Sequence, residues 1–311
     1  MTPQHRTLAG MISLALGVMI FSTQDAIIKG LSGEYAVTQA IVTRGLVALP
    51  ILSIMVQMEC GLKRLWSRSF WPMVVRGLVL LVSYTSYYMA FPALPLAEAI
   101  ALFFTAPIFV TLLSGPLLGE KVTPQSWFAV GLGFLGVLVI LRPGSGLFEW
   151  AALLSLVSAA AYALSMVLAR RVGASEPATV MAFYVNLVYL LGAAGIAALC
   201  HRLGIVKLGH PSLDFLVRPW IMPTLEDFLL MALCGVIAAV AMSLLTHAYR
   251  LAEANLVTVL EYTGMIWGPL WGYLFFNEIP RWTTFVGTAL IIIAGVYSAR
   301  AAAARDRKAP A

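Results

Sequence analysis

The chain has 311 residues, of which 61% are hydrophobic and only 11% charged, where a soluble domain carries about 25% charged and about 45–50% apolar residues. That balance excludes a soluble globular domain, whose outer faces need charge to stay dissolved, and it turns length into a count of membrane spans. The net charge of +6 is dispersed between apolar runs and not gathered on one face, so it reads as loop charge that sets topology, and no nucleic-acid partner is expected.

A helix rises about 1.5 Å per residue, so roughly 20 residues cross about 30 Å of hydrocarbon. In chain order, apolar runs of that length lie near 8–28, 37–57, 70–91, 96–118, 125–141, 148–171, 177–200, 226–250, 255–276 and 282–300. The first follows His5 and Arg6 and continues to Ile28 without a small-x-small cleavage site, so a retained first helix is expected in place of a removed leader. The breaks carry turn chemistry at Ser32-Gly33-Glu34, Pro92 to Pro95, Gly119 to Pro124, Arg142-Pro143-Gly144 and Glu278-Ile279-Pro280. The expected fold is an all-α polytopic membrane protein of ten transmembrane helices in a lipid bilayer.

Lys and Arg set the orientation. With the N-terminus inside, inner segments hold twelve of them: Arg6, Lys63, Arg64, Arg68, Lys121, Arg170, Arg171, Arg250, Arg300, Arg305, Arg307 and Lys308. Outer segments hold six: Lys29, Arg142, Arg202, Lys207, Arg218 and Arg281. The bias places both termini of this multi-pass chain on the inner, cytoplasmic side of the membrane.

Five helices before residue 143 are followed by five more. Leu96-Ala97-Glu98-Ala99 returns as Leu251-Ala252-Glu253-Ala254, Gly115-Pro116-Leu117-Leu118-Gly119 as Gly268-Pro269-Leu270-Trp271-Gly272, and Trp127 with Val130-Gly131 as Trp282 with Val286-Gly287. Matches in the same order point to an internal repeat. Residues 1–143 form a first half, 144–300 a second, and 301–311 a short basic tail. An odd number of spans per half inverts the second half, and inverted halves are the architecture of many secondary transporters.

The run Tyr88-Met89-Ala90-Phe91, Leu94-Pro95-Leu96-Ala97-Glu98-Ala99, Pro107 and Leu118-Gly119-Glu120 resembles the signature of the EamA-type drug/metabolite transporter superfamily, over nearly the whole chain. Within it the chain looks most like the bacterial amino-acid exporter branch that includes aromatic amino-acid exporters. The resemblance implies a ten-helix basket, a central cavity lined mainly by spans 1, 3, 4, 6, 8 and 9, and export from the cytoplasm. The second half departs from the first where Glu261 and Tyr262 take the places of Ala106 and Pro107.

A charged residue within a span costs roughly 2.5–3.5 kcal/mol on insertion scales, so each needs a reason. Asp25 near the outer end of span 1 and Arg44 in span 2 are placed to pair; Arg76 and Glu261, in spans 3 and 9, are placed for a second, inner pair. The bland alternative for both arginines is snorkelling to the headgroups. Glu261 is too short to snorkel far, and is expected in the cavity, handling substrate or protons. Further cavity candidates are Tyr84, Tyr88, Tyr162, Ser165, Asn186, Ser243, Thr246, Thr258 and Tyr262: hydroxyls and an amide to hold an ammonium and a carboxylate, and aromatic faces for an apolar side chain. Pro107, Gly268 and Pro269, in a GxxxGxxxG run of span 9 and its counterpart span 4, allow close contact and kinks, and join Glu98 as gating candidates.

Chemistry of other kinds finds little support. No GxxxxGK[ST], HExxH or GxSxG motif occurs. Cys60, Cys200 and Cys234 lack metal spacing and the four histidines do not cluster, so no metal, cofactor or enzyme activity is expected. The leading reading is a secondary transporter exporting aromatic or neutral amino acids, or related small metabolites, by alternating access. The alternative is a membrane enzyme acting on a lipid-linked substrate, with Glu98, His247 and Glu253 as its only weak acid–base options. A sensor would normally add a soluble signalling domain. Spans 5 and 10, nearly free of polar residues, are left for lipid or for a second copy of the chain in a homodimer.

Overall fold

Hydrocarbon offers the backbone no water, so each apolar run closes its own N–H···O=C ladder as a helix. The structure, a computed structural model, describes residues 3–66, 69–118, 124–142, 149–172, 176–251 and 262–306, and within these residues it holds no strand. The helices are α1 (Pro3–Leu31), α2 (Val37–Glu59), α3 (Phe70–Ala90), α4 (Leu96–Phe103), α5 (Ala106–Leu118), α6 (Pro124–Leu141), α7 (Ala151–Val172), α8 (Ala178–Arg202), α9 (Pro211–Val217), α10 (Leu225–Leu251), α11 (Gly264–Phe276) and α12 (Trp282–Asp306). Six described stretches suffice by length and hydropathy to cross a membrane, with Trp127–Leu141 and Trp282–Tyr297 as shorter apolar segments. Spans 1, 2 and 3 are α1, α2 and α3; span 4 is α4 with α5; spans 5 to 10 are α6, α7, α8, α10, α11 and α12. Residues 255–261, the first part of the expected ninth run, lie outside the described residues.

Two expectations change. The fourth run is two helices, not one. Proline at 107 has no N–H to give the carbonyl of Phe103, and its ring crowds that carbonyl. The break falls at Phe104 and Thr105, where the Thr105 hydroxyl donates back to the Leu102 carbonyl at 2.6 Å. The long connection between spans 7 and 8 is also more than a loop. His210 caps α9 by accepting from the Ser212 N–H at 3.2 Å. The Asp214 carboxylate accepts from the N–H groups of Leu208 at 2.6 Å and Gly209 at 3.0 Å, which holds its pKa below the ordinary carboxylate value. Trp220 then donates to Thr38, and Gln39 exchanges hydrogen bonds with the Ile221 backbone, so the segment docks on the start of span 2.

Span 1 packs on span 8 and span 3 on span 6; span 2 packs on spans 7 and 8, span 3 on span 7, span 5 on span 10, and span 4 on span 9. Exchanging each span with the one five places along reproduces this arrangement: 1–8 becomes 6–3, 2–8 becomes 7–3, and 2–7, 5–10 and 4–9 map onto themselves. The equivalence reaches single residues. A Cβ on Gly77 of span 3 would meet Val188 of span 7 at 2.7 Å, and one on Gly235 of span 8 would meet Val47 of span 2 at 2.8 Å.

Spans 5 and 10 cross on glycine. A Cβ on Gly136 would lie 2.7 Å from the Gly287 carbonyl oxygen and 2.9 Å from Ile291; one on Gly287 would lie 2.6 Å from the Gly136 carbonyl oxygen and 2.5 Å from Ile140. This reciprocity equates Gly136 with Gly287 and corrects the pairing of Val130-Gly131 with Val286-Gly287. One face of spans 5 and 10 is therefore covered within the chain; their outer faces, with Phe128, Phe134, Phe285 and Ile293, are exposed apolar surface, as lipid contact requires.

Connections at one end of the bundle, here called apical, are joined in a closed ring. Arg218 donates to the carbonyls of Ser32 at 3.1 Å and Tyr35 at 3.3 Å. His210 meets Glu149 at 3.0 Å, and Arg142 Nε donates to Thr283 at 2.9 Å. Glu278 accepts from the Leu96 N–H at 2.8 Å, and Lys29 donates to the Leu94 carbonyl at 2.6 Å. The ring thus runs through the 1–2, 7–8, 5–6, 9–10 and 3–4 connections and back. At the other end, called basal, where α1 begins and α12 ends, the described ties join the 2–3 and 6–7 connections: Thr179 donates to Glu59 at 2.7 Å, Tyr184 to the Leu65 carbonyl, and Arg64 meets Glu176 at 3.5 Å.

The span 5–10 crossing yields a test. Gly287→Val should reduce folded protein and lower the unfolding temperature in detergent, because overpacking typically costs about 1–3 kcal/mol. Gly131→Ala, where a Cβ meets nothing within 4 Å, should leave both near wild type.

Candidate functional site

The apical half is filled by a continuous core containing Ile28, Leu31, Tyr35, Phe91, Leu96 and Phe215. Below it a cavity of about 330 Å³ opens between the halves. Its floor of tyrosines is at mid-bundle, and its walls run toward Leu52, Met166 and Ala182, nearer the basal end. Spans 1, 3, 4, 6, 8 and 9 all contribute, as the resemblance implies. Spans 2 and 7 contribute as well, through Arg44, Ala48 and Leu52 and through Val185, Asn186 and Tyr189, which the resemblance did not lead us to expect.

Among the sequence candidates, Asp25, Arg44, Arg76, Tyr84, Tyr88, Pro107, Tyr162 and Asn186 line this cavity. Helical periodicity brings span 3 in: Arg76, Leu80, Tyr84 and Tyr88 recur every four residues and so share one face. Asp25 and Arg44 do not form the expected ion pair; each takes a tyrosine. The Tyr87 hydroxyl donates to Asp25 Oδ2 at 3.1 Å. The Tyr88 hydroxyl accepts from Gln24 Nε2 at 2.6 Å and from an Arg44 terminal nitrogen at 3.3 Å. The Arg44 guanidinium also lies 5.8 Å from the centre of the Tyr189 ring, a cation–π distance.

Arg44 and Arg76 are each only 8% exposed. Both side chains are enclosed by the bundle and do not extend along its outer face, so neither snorkels by that route. The Nε atoms of both are buried without a hydrogen-bond partner, and Arg76 has no described carboxylate beside it. Asn186 donates to the Gly45 carbonyl at 3.1 Å, which ties span 7 to span 2 and fixes one end of its amide.

The aromatic lining packs ring on ring, edge-on at Tyr84–Tyr189 and Phe103–Tyr162 and tilted at Tyr87–Phe103 and Phe104–Tyr262. Tyr84 meets Tyr189 with centroids 5.7 Å apart, Phe103 meets Tyr87 at 4.8 Å and Tyr162 at 5.3 Å, and Phe104 leans on Tyr262 at 5.7 Å. Such contacts between rings fix side-chain positions. Tyr87, Tyr189, Phe103 and Phe104 were absent from the sequence candidates. Their signal is helical spacing with residues that were candidates: Tyr87 three residues after Tyr84, Tyr189 three after Asn186, and Phe103 and Phe104 four and three before Pro107.

The other candidates lie elsewhere. Tyr262 is 6% exposed and does not line the cavity; its hydroxyl abuts Gly295 of span 10, where a Cβ would overlap it. Ser165 is fully buried away from the cavity. Gly268 seats span 9 on span 4, with Ile100 where its Cβ would be, and Pro269 follows it inside α11. Gly264 alone of the span 9 glycines lines the cavity. Glu98 is in the apical ring, accepting from Thr284 at 3.1 Å. The side chains of Ser243, Thr246 and His247, and residues Glu253, Thr258 and Glu261 entirely, lie outside the described residues, as does an Arg76–Glu261 pair.

Over the cavity, the apical closure centres on Lys29. Its ammonium lies 2.6 Å from Glu278 Oε1 and 5.5 Å from the centre of the Phe276 ring. The side chains of Lys29 and Glu278 are only 9% and 22% exposed, so the pair is screened far less than a surface one. Sequence reading had counted Lys29 as loop charge and Glu278 as a turn residue. Trp271 adds a second tie between spans 9 and 1, donating to the Ser22 hydroxyl at 2.9 Å.

Comparison with known proteins follows from this geometry. A sequence model described as the EamA-like transporter family matches the chain twice, over residues 8–142 and 149–299. A riboflavin transporter of Rhizobium johnstonii is 27% identical over 310 residues, 97% of this chain and 95% of the relative. A pseudopaline exporter of Pseudomonas aeruginosa is 27% identical over 294 residues, 94% of this chain and 96% of the relative. An S-adenosylmethionine uptake transporter of Rickettsia bellii is 24% identical over 72% of this chain and 70% of its own. A protein of known crystal structure, 19% identical, covers 98% of this chain and 99% of its own with a TM-score of 0.61, which shows a shared fold.

Two outcomes are expected. Tyr88→Phe strands two buried donors, each costing about 1–3 kcal/mol, and should lower the detergent unfolding temperature; an unchanged temperature would show the hydroxyl idle. Glu278→Gln should loosen the apical closure. In a cysteine-free background, a cysteine at Ser22 should then react faster with an impermeant thiol reagent added from the apical side, and equal rates would assign closure to the core alone.

Proposed function

We propose that this chain, which belongs to the EamA-like transporter family, is a secondary transporter that exports small amino-acid-type metabolites. Its coarse role, a membrane transporter and not an enzyme, comes with the family. The relatives' names span riboflavin, pseudopaline and S-adenosylmethionine, and both uptake and export. The substrate is therefore argued from the site.

One observation carries the reading: Arg44 and Asp25 face a single cavity without forming an ion pair with each other. An α-carboxylate suits the guanidinium, whose fork offers paired donors. The α-ammonium suits Asp25. The aromatic walls take an apolar or aromatic side chain. A zwitterion supplies both missing counter-charges at once, so it offsets the burial penalty of each.

The cavity below a sealed apical end gives the reading its direction. In a bacterial cytoplasmic membrane, with the basal end and both termini cytoplasmic as the Lys and Arg bias favours, the substrate enters from the cytoplasm. Release follows when the apical ring parts and the halves 1–143 and 144–300 rock about the cavity. A homodimer through the outer faces of spans 5 and 10 is compatible with this motion.

The test is uptake into proteoliposomes of phosphatidylethanolamine and phosphatidylglycerol. Labelled phenylalanine, tyrosine and leucine should enter, and Arg44→Gln or Asp25→Asn should slow entry by roughly tenfold or more, the scale of one lost charge-assisted hydrogen bond. Liposomes that accumulate riboflavin or S-adenosylmethionine and no amino acid would overturn the reading.

A further inference from the structure

A single zwitterion uses Arg44 and Asp25 and leaves one charge over. Among the described lining residues the cavity has two guanidiniums and one carboxylate, Arg44, Arg76 and Asp25. Arg76 is the surplus. It is 8% exposed, its Nε has no partner, and it makes no ion pair or hydrogen bond with a described side chain. A charge held in a span without a partner is costly, and no snorkelling along the lipid face relieves it. Something that enters the cavity is the remaining counter-charge.

Arg44 and Arg76 do not act on the same group. Arg44 bonds Tyr88, which is twelve residues, or about 18 Å of helical rise, apical of Arg76 on span 3. Arg44 has Tyr84, Tyr88, Tyr189, Cys234 and Asp25 in its electrostatic surroundings; Arg76 has Tyr84 and Tyr162. Tyr84 lies near both guanidiniums. One carboxylate does not span them. Tyr84 and Tyr162 are both on the cavity wall, and aromatic rings there suit a planar group.

Resting on the amino-acid reading above, we propose that Arg76 is a specificity-determining residue that binds a second carboxylate at the basal end of the substrate. The transported solute is then an amino acid with a net negative charge, its α-ammonium and α-carboxylate at Asp25 and Arg44, and a further carboxylate across a short, planar or aromatic spacer at Arg76 and Tyr162. That solute matches the described lining charge for charge, two carboxylates to two guanidiniums and one ammonium to one carboxylate.

Three probes on one scaffold isolate the second charge: phenylalanine, 4-carboxyphenylalanine and 4-carbamoylphenylalanine, the last a neutral isostere. The readout is the ratio of kcat/KM for carboxyl over carbamoyl in the same proteoliposomes. Wild type should give roughly tenfold or more, as expected for an added charge-assisted hydrogen-bonded pair. Arg76→Gln should bring the ratio close to one whatever its absolute rate, and Arg76→Lys, which keeps a point charge without the fork, should retain part of it. Because the readout is a ratio within each variant, a general loss of folded transporter does not move it. A wild-type ratio near one, or a high ratio that survives in Arg76→Gln, overturns the proposal while uptake of phenylalanine keeps the amino-acid reading intact. Liposomes that take up none of the three probes overturn both.

Discussion

The apical ring is the constraint on which the rest of this structure depends. Ten spans joined by loops have many ways to splay, and packing between apolar helices in lipid supplies no hydrophobic driving force to stop them. Here the five apical connections are tied to each other by charge-assisted and backbone hydrogen bonds through Lys29, Glu278, Arg142, Glu149, His210 and Arg218. The tie at Lys29 is partly buried, so it keeps strength that a fully hydrated pair would lose. With that end fixed, the apical core fills, and unfilled space can persist only below it. The cavity is what remains when one end is closed.

Placing guanidiniums in that space is expensive, and the way each is treated differs. Arg44 has a tyrosine hydroxyl, an aromatic face and the field of Asp25 nearby. Arg76 has tyrosines nearby and, among the described residues, no ion pair or side-chain hydrogen bond. A protein that needed these charges for packing would gain by replacing them with apolar residues of similar size, since a buried ion pair is a weak source of stability. Keeping them, with no ion pair among the described residues, makes sense when a ligand completes the set. The tyrosines then have two jobs, holding Asp25 and Arg44 in place in the empty cavity and presenting ring faces to a solute.

Most of the fold was legible because it follows from periods and composition. Apolar length gave the spans, and Pro107 explained the one break that the run 96–118 concealed. The repeat was harder to align, for a reason now visible: equivalence is carried by the contacts of Gly77 with Val188 and Gly235 with Val47, and by the crossing of Gly136 with Gly287, while connection lengths differ between the halves and shift the register each time. Site residues on span 3 were found because a helical face can be read from sequence. Lys29 with Glu278 and Asp25 with Tyr87 were not, because they join residues from distant segments whose proximity only packing reveals. Tyr262 was misplaced for the converse reason. A polar aromatic beside a cavity-lining glycine looks like a wall, yet its ring turns toward the notch that Gly295 leaves in span 10.

Symmetry and asymmetry have separate tasks in this molecule. The main helix contacts are reproduced when the halves are exchanged, so the bundle has a second arrangement of the same kind in which its ends trade roles. That property lets two arrangements of the same bundle have similar energies, which alternating access requires. The charges break the symmetry. Asp25, Arg44 and Arg76 all belong to the first half, and the second half contributes to the described lining tyrosines, an asparagine and small residues with no charge. A solute bound by the first half alone keeps its ionic contacts while the second half moves past it. Binding and motion are then carried by different halves, and the substrate need not be released from its counter-charges until the exit has opened.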